Sequence, residues 1–528
     1  MEMINDLFRR LEKLNAIGAS LSYERNLDRL LENILLAAKA ITHADGGTLY
    51  RVSEDQRSLR FEIVRTDSLQ LAYGGTSGHS TSAQFPDLPL YCADGTANHS
   101  MIAAYSAIHG ETVNIDNAYT AKGFDFSGTR AFDKMTGYRS QSFLSVPMKN
   151  HENEVIGVLQ LINAIDAENG RVAPFSDADQ RLAESLASQA AVALTNRILI
   201  NQLEELFESF IKMINLAIDE KSPYTGGHCQ RVPWLTMMLA EAAHATKTGP
   251  LADFSMNEKD RYELKIASLL HDCGKITTPV HIVDKATKLQ TIFDRVELID
   301  TRFEVLKRDA EITMLRALSA GEDKQMAERQ WQDTLLALNQ ERAFIQRVNI
   351  GCEAMSAQDQ AEVIALAKRR QWLTERGERV DFLSPNEIEN LTVRSGTLTK
   401  DEREAINYHI VATIKMLESL PWPKHLRHVS EYAGGHHERM DGKGYPKGLK
   451  REEMSVQARI MGIADIFEAL TARDRPYKHG MKISEALRIL SKFRDNGHID
   501  PDLFEVFMQE KIYLKYAEEY LDPEQKDG

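Results

Sequence analysis

Near its C-terminal end the 528-residue chain reads HHERMDGKGYP, residues His436 to Pro446, and well upstream of this it reads HDCGK, residues His271 to Lys275. Each string supplies adjacent metal donors. Two neighbouring histidines, a neighbouring His-Asp pair and further His and Asp residues make the inventory of a dinuclear metal centre. Imidazole and carboxylate are borderline-to-hard donors that suit iron, manganese, nickel or zinc. Two such cations about 3.5–4 Å apart activate water and neutralise phosphoryl oxygens in an in-line displacement. Asp465 stands inside the almost wholly apolar run ARIMGIADIFEALT. A carboxylate there is costly unless it is paired or bound to a metal.

These donors need helices to carry them. NEKDRYELKIASLLHDCGK (257–275) has the apolar period of a helix ending at Gly274, which delivers His271 and Asp272 at its C-terminal end. In GTLTKDEREAINYH (396–409), Thr399 and Glu402 predict a capping box for a helix that presents His409 two turns in. His228 follows a helix-start signal at Thr225. Gly442 and Gly444 permit tight turns after the paired histidines, and Pro446 stiffens the exit.

The undecapeptide matches every position of HHExxDGxGYP, and Gly227 to Val232 completes a GHxxRV pattern. In these strings the chain resembles the HD-GYP family, cyclic di-GMP phosphodiesterases of the HD superfamily. The resemblance covers about residues 210–284 and 396–515. It implies that His228, His271, Asp272, His409, His436, His437 and Asp465 are metal ligands, with Asp272 bridging two divalent ions, iron, manganese or nickel. It implies catalytic roles for Asp272 and Lys275, the latter donating to the phosphate or the leaving oxygen. Gly444, Tyr445, Arg475 and Lys478 match positions that meet the substrate. Tyr224 stands where some members carry a glutamate ligand, so two metals are expected rather than three. Ser222 and Glu468 replace family aspartates, and neither is expected to be a ligand. The implied activity is hydrolysis of cyclic di-GMP to pGpG and on to GMP. Cyclic GMP-AMP is an alternative substrate for the same chemistry. A weakly active effector that binds a partner protein, such as a diguanylate cyclase, is a third reading, against which the complete ligand set argues.

Bulk properties set the bounds. A chain of this length holds two to four domains at about 150 residues each. The net charge of −14 lacks the basic footprint of a general nucleic-acid binder. No apolar run approaches the roughly 18 residues of a membrane span, and the opening MEMINDLFRRLEKL is charged, unlike a signal peptide. Cys92, Cys229, Cys273 and Cys352 are widely spaced and form no CxxC, which suggests reduced thiols of a cytoplasmic protein.

Upstream of the metal-donor strings, a helix with Leu27, Leu30, Leu31, Ile34 and Leu35 at helical spacing precedes predicted strands at 46–52, 61–65, 143–149 and 155–163. The last two flank the turn NHENE as a hairpin. This order resembles a GAF domain. Asn163, Phe175 and Asp179 could match the cyclic-nucleotide constellation of some GAF domains, but Gln180 stands in place of its glutamate. The plainer reading makes Phe175 a core residue, Ser176 an N-cap and Asp179 a first-turn carboxylate. A small ligand of this domain is left unidentified.

Leu182, Leu186, Gln189, Ala193, Asn196, Ile200, Leu203, Phe207, Phe210, Ile214 and Ala217 step by a 3.5-residue repeat, the seam of a parallel dimeric coiled coil. Ile4, Leu7, Leu11 and Leu14 could flank it. In 285–396, Ile292, Val296, Ile299, Phe303 and Leu306 form one stripe, and Trp331, Leu335, Leu338 and Ile345 another. SAGEDK between them predicts a helical hairpin, and Ser384 to Glu387 caps a further helix with Pro385 at its first position. The expected fold is an α+β GAF domain joined by a long coiled-coil helix to an all-α HD-type helical bundle that carries a helical insertion. The expected divisions are a GAF-like sensor at 1–180, a linker helix at 181–218, catalytic parts at 219–284 and 397–528, and the insertion at 285–396.

Overall fold

The computed structural model describes residues 2–24, 26–166, 168–221, 227–352, 354–374, 376–472 and 480–527, without the side chains of 2–9, 11 and 22. The side chains of Ile4, Leu7 and Leu11 therefore lie outside the described residues, whereas Leu14 is buried. The chain divides into two compact units, Met1–Leu206 and Phe207–Gly528.

The first unit is built on an antiparallel sheet. Its strands run in the order Leu71–Tyr73, Ser58–Thr66, Ala44–Val52, Val155–Ile165, Phe143–Lys149 and Val113–Ile115. The hairpin 143–165 supplies two central strands. The helix Leu27–Thr42 starts at Asn26, whose side chain accepts from the Arg29 amide, and stops at His43 in the left-handed region. Its buried stripe of Leu30, Leu31, Ile34 and Leu35 covers one sheet face together with Leu186, Ala190 and Leu194. Asn163 adopts a positive φ. Its amide accepts from the Gln141 N–H at 2.7 Å and donates to the Arg139 carbonyl at 2.8 Å. Phe175 is core, and Ser176 and Asp179 exchange the reciprocal bonds of a capping box. The plainer reading therefore holds for Phe175, Ser176 and Asp179, and Asp179 adds an ion pair with Arg10 Nη1 at 2.8 Å.

One helix, Asp177–Lys221, follows. Leu182 and Leu186 are buried in the first unit, whereas Ile211 and Ile218 are buried in the second, where Phe207 and Ile214 pack beside them. Several positions of the expected seam are thus occupied by the chain's own cores. Ile200, Leu203 and Phe210 of that seam stay exposed, beside Leu199, Leu206 and Met213. Leu199, Leu203, Leu206, Phe210 and Met213 step by threes and fours, so an exposed heptad repeat persists on a face that shares Leu203 and Phe210 with the expected one. The sequence pattern could not separate the two registers, because apolar residues line both.

The second unit is helical. His228–Ala245, Glu258–Leu270, Lys400–Glu418, Val456–Thr471 and the C-terminal helices enclose a core that includes Val232, Leu264, Ile463, Phe467, Phe507 and Tyr516. Residues 285–396 carry a core of their own, with Ile299, Phe303, Leu338, Ile345, Val363, Phe382 and Leu391. The hairpin consists of Val296–Ser319 and Lys324–Asn349, and Ser384 with Glu387 caps Pro385–Leu391. Ile292 precedes the first helix and is 93% exposed, so it does not belong to the stripe. A helix Ala357–Arg369 and a two-stranded ribbon, Gln371–Leu373 with Arg379–Asp381, go beyond the expected hairpin. The ends of the segment meet: Thr397 Oγ1 donates to the Lys285 carbonyl at 2.9 Å. Buried Lys285 donates to Asn390 and to the Glu402 carboxylate at 2.6 Å. Among the described residues no helix is long and apolar enough to cross a membrane.

Candidate metal centre

The helix Glu258–Leu270 starts from a reciprocal cap between Asn257 and Asp260. It stops at Leu270, earlier than the expected Gly274, and a tight helical turn, Cys273–Thr277, follows. His271 and Asp272 therefore sit in the joint between them, both buried. Gly274 is required there. A Cβ on it would lie 2.0 Å from the His409 carbonyl oxygen, so only glycine lets this turn touch the helix Lys400–Glu418. That helix begins at the expected Thr399–Glu402 capping box and presents His409 inward.

Three imidazoles share one arrangement. His271 Nδ1–H donates to the Ser268 carbonyl at 2.8 Å, His409 to Ile406 at 2.5 Å and His436 to Ala433 at 2.6 Å. Each bond spends Nδ1–H on the backbone three residues earlier. It fixes the tautomer and leaves the Nε2 lone pair free to ligate.

The donors form two groups, His228 with His271 and Asp272, and His409 with His436 and His437. Asp272 faces both. Its Oδ2 lies 3.0 Å from His228 Nε2 and 3.2 Å from His271 Nε2, and its Oδ1 lies 3.3 Å from His409 Nε2. Asp465 Oδ1 approaches His228 Nε2 at 3.4 Å. All seven expected ligands therefore converge. Asp272 Oδ1, His409 Nε2 and His436 Nε2 are buried without a hydrogen-bond partner. Stranding three polar atoms would cost about 1–3 kcal/mol each. A set of imidazoles and carboxylates so arranged fits divalent cations.

Charge and burial compete here. Burial, with His437 and His271 adding to it, holds the His436 pKa well below that of an ordinary imidazole. Burial likewise lowers His437 to about 4. For His228 burial also disfavours the cation, but the Glu468 and Asp272 carboxylates outweigh it and raise the pKa to about 9. Burial pushes the Asp272 pKa up, yet Lys275 and the surrounding imidazoles hold it well below the carboxylate range. Lys275 Nζ sits 2.5 Å from Asp272 Oδ2.

The loop after His437 is latched from inside. Buried Glu438 accepts from the amides of Lys447 and Leu449 at 2.7 and 2.9 Å. A Cβ on Gly444 would meet the Arg439 nitrogen at 2.4 Å, so the loop closes backbone against backbone. Tyr445 stacks on His437 with ring centroids 4.9 Å apart, at the edge of the centre. Arg475, Lys478, Tyr224 and Ser222 lie outside the described residues.

Two residues carry more than the sequence reading gave them. Glu468 is fully buried, accepting from His228 Nδ1 at 2.5 Å and from Arg231 Nε at 2.7 Å. It turns His228 so that Nε2 faces Asp272. The signal was present: Glu468 lies three residues beyond Asp465 on one helix, and Arg231 lies three beyond His228. Like charges at helical spacing opposite a His-Arg pair read as a clamp once both faces are placed together.

Comparison with known proteins locates both units. The HD domain model matches residues 378–503, and the GAF domain model matches residues 26–194. A cyclic di-GMP phosphodiesterase of Pseudomonas aeruginosa is 46% identical over 74 residues, 14% of this chain and 17% of that protein. A probable cyclic di-GMP phosphodiesterase of Vibrio cholerae is 34% identical over 142 residues, 26% of this chain and 32% of the relative. A 3'3'-cGAMP-specific phosphodiesterase of the same organism is 42% identical over 93 residues, 17% of this chain and 21% of the relative. The chain therefore spans a third or less of the length of these relatives. Among solved structures, the GAF domain of an Acinetobacter phosphoenolpyruvate-protein phosphotransferase is 16% identical, covering 37% of this chain and 98% of that one at a TM-score of 0.27. The chain combines a GAF domain of antiparallel-sheet type with a largely helical HD domain.

Proposed function

We propose that the chain is a metal-dependent phosphodiesterase of the HD-GYP type that hydrolyses cyclic di-GMP to pGpG and on to GMP. The observation that carries this reading is Asp272, which offers one oxygen to each histidine group. A carboxylate so placed suits two divalent ions, iron, manganese or nickel. When bound, such ions make water a nucleophile at neutral pH and neutralise phosphoryl charge. The protein's own residues do the rest. Glu468 and the three Nδ1-bonded histidines hold the donors in place. Lys275 keeps a cation beside Asp272, from which it can donate a proton to the leaving oxygen. Tyr445 offers a ring beside the centre for a base or sugar. Arg475 and Lys478 supply positive charge for the phosphates, Arg by a bidentate fork and Lys as a point charge.

In this reading the protein is cytoplasmic, the GAF domain takes a small ligand and regulates the enzyme, and the exposed stripe Leu199 to Met213 pairs with a second copy as a parallel coiled coil. Cyclic GMP-AMP is the second substrate to weigh, because one of the relatives is named for it. Purified protein loaded with manganese or iron and assayed against both dinucleotides tests the proposal. Turnover of cyclic di-GMP supports it. Turnover of cyclic GMP-AMP alone reassigns the substrate, and turnover of neither overturns the enzyme reading.

A further inference from the structure

The last turns of the long helix grip the segment that carries His271 and Asp272. Asn215 is buried, and its Nδ2 donates to the Leu269 carbonyl at 3.0 Å. Lys221, the final helical residue, directs Nζ at three carbonyls: Lys275 at 3.2 Å, Ile276 at 2.5 Å and Thr278 at 2.5 Å. Ile211 and Ile218, on the same side of the helix, are buried in the bundle core. Glu208 adds an ion pair to Lys265 at 2.9 Å.

The two grips bracket the ligand pair. Leu269 lies two residues before His271, and Lys275 lies three after Asp272. Carbonyls at the end of a helical turn carry the negative end of its dipole, and the Lys275 carbonyl also accepts from the Thr278 amide at 3.1 Å. An ammonium has three N–H donors, and three carbonyls use them all. The Lys275 backbone is thus held from one side while its side chain touches Asp272 from the other.

We infer that Lys221 and Asn215 are positioning residues for the metal centre, through which the helix leaving the GAF domain fixes the place of His271, Asp272 and Lys275. The inference rests on the reading of the site as a metal centre. It identifies the point at which a change in the helix reaches the donors. A twist or shift at Lys221 moves the carbonyls of the turn that holds Lys275.

The test is cobalt(II) titration of the full chain, followed by its visible absorption bands, which need no substrate. Lys221→Met should weaken cobalt binding up to roughly tenfold, the low end of the cost of losing a direct outer partner of a ligand, because it reaches the donors through the turn that follows them. Lys221→Arg retains donors and charge and should bind close to wild type. Asn215→Ala should weaken binding in the same direction and serves if Lys221→Met fails to fold. Wild-type affinity in folded Lys221→Met, or in Asn215→Ala where that stands in for it, overturns the inference. Wild-type protein that shows no cobalt bands overturns the metal-centre reading, and the inference with it.

Discussion

Metal binding should expel a proton from His228, and the structure sets the size of the effect. The residue is buried at 7% exposure. Burial alone would keep its ring neutral, but Glu468 at 2.5 Å and Asp272 at 3.0 Å raise its pKa from 6.5 to about 9. That rise is worth about 3 kcal/mol. A folded-state pKa above the unfolded value adds stability that is complete below pH 6.5 and fades as pH climbs through 9. A metal needs the neutral ring. At pH 7 the protonated form is favoured about a hundredfold, so apparent affinity should rise about tenfold per pH interval of one up to 9, then level off. His436 and His437 should add no slope in this range, because burial keeps both neutral well below pH 7. Calorimetric titration with manganese at pH 7, in buffers of different ionisation heat, counts the released protons. Glu468→Gln removes the carboxylate that holds the proton and should release about one fewer than wild type. Equal release in both proteins, with affinity flat from pH 7 to 9, would refute the assignment.

Other outcomes follow from the same geometry. Asp272→Ala should lose most bound metal and nearly all turnover while circular dichroism stays helical, since the bundle core does not depend on that carboxylate; metal analysis beside the turnover assay checks this. Light scattering should report the proposed dimer for wild type and a monomer for Phe210→Glu, with little effect on melting. Phe207→Glu should instead lower the melting temperature, because Phe207 packs edge-on against Trp422 at 6.1 Å. Asn163→Ala should cost the first unit about 2–3 kcal/mol in denaturant titrations, through three lost side-chain bonds and a strained φ of 57°. Replacing 288–394 with a short Gly/Ser linker should preserve metal content and change the Michaelis constant, since no donor of the centre lies in that stretch.

Motif residues were legible because their chemistry is costly elsewhere. An aspartate in an apolar helix and two adjacent histidines announce a binding site before any fold is known. The four long strands of the first unit and the caps at Thr399 and Ser384 were equally readable, since turn and cap residues act locally, whereas its short strands Leu71–Tyr73 and Val113–Ile115 were not. What escaped the sequence depends on distant pairing. Glu468 looks like an ordinary helix carboxylate until Arg231 and His228, more than two hundred residues away in the chain, are set against it. The exposed face of the long helix was legible only in part, at Ile200, Leu203 and Phe210, because apolar residues also line its other faces and only the placement of the two cores tells which are spent. The ribbon at 371–381 escaped because each of its strands is only three residues long, too short for its exposed, half-buried, exposed alternation to stand out in the sequence.

The meeting of Lys285 with Thr397 has a consequence for how such a chain is assembled and altered. A segment whose entry and exit touch can be spliced in or out without rethreading the helices around it. Its own core gives it the means to fold as a cassette, and the entropy of closing so long an excursion grows only slowly with its length. The junction is therefore a natural graft point.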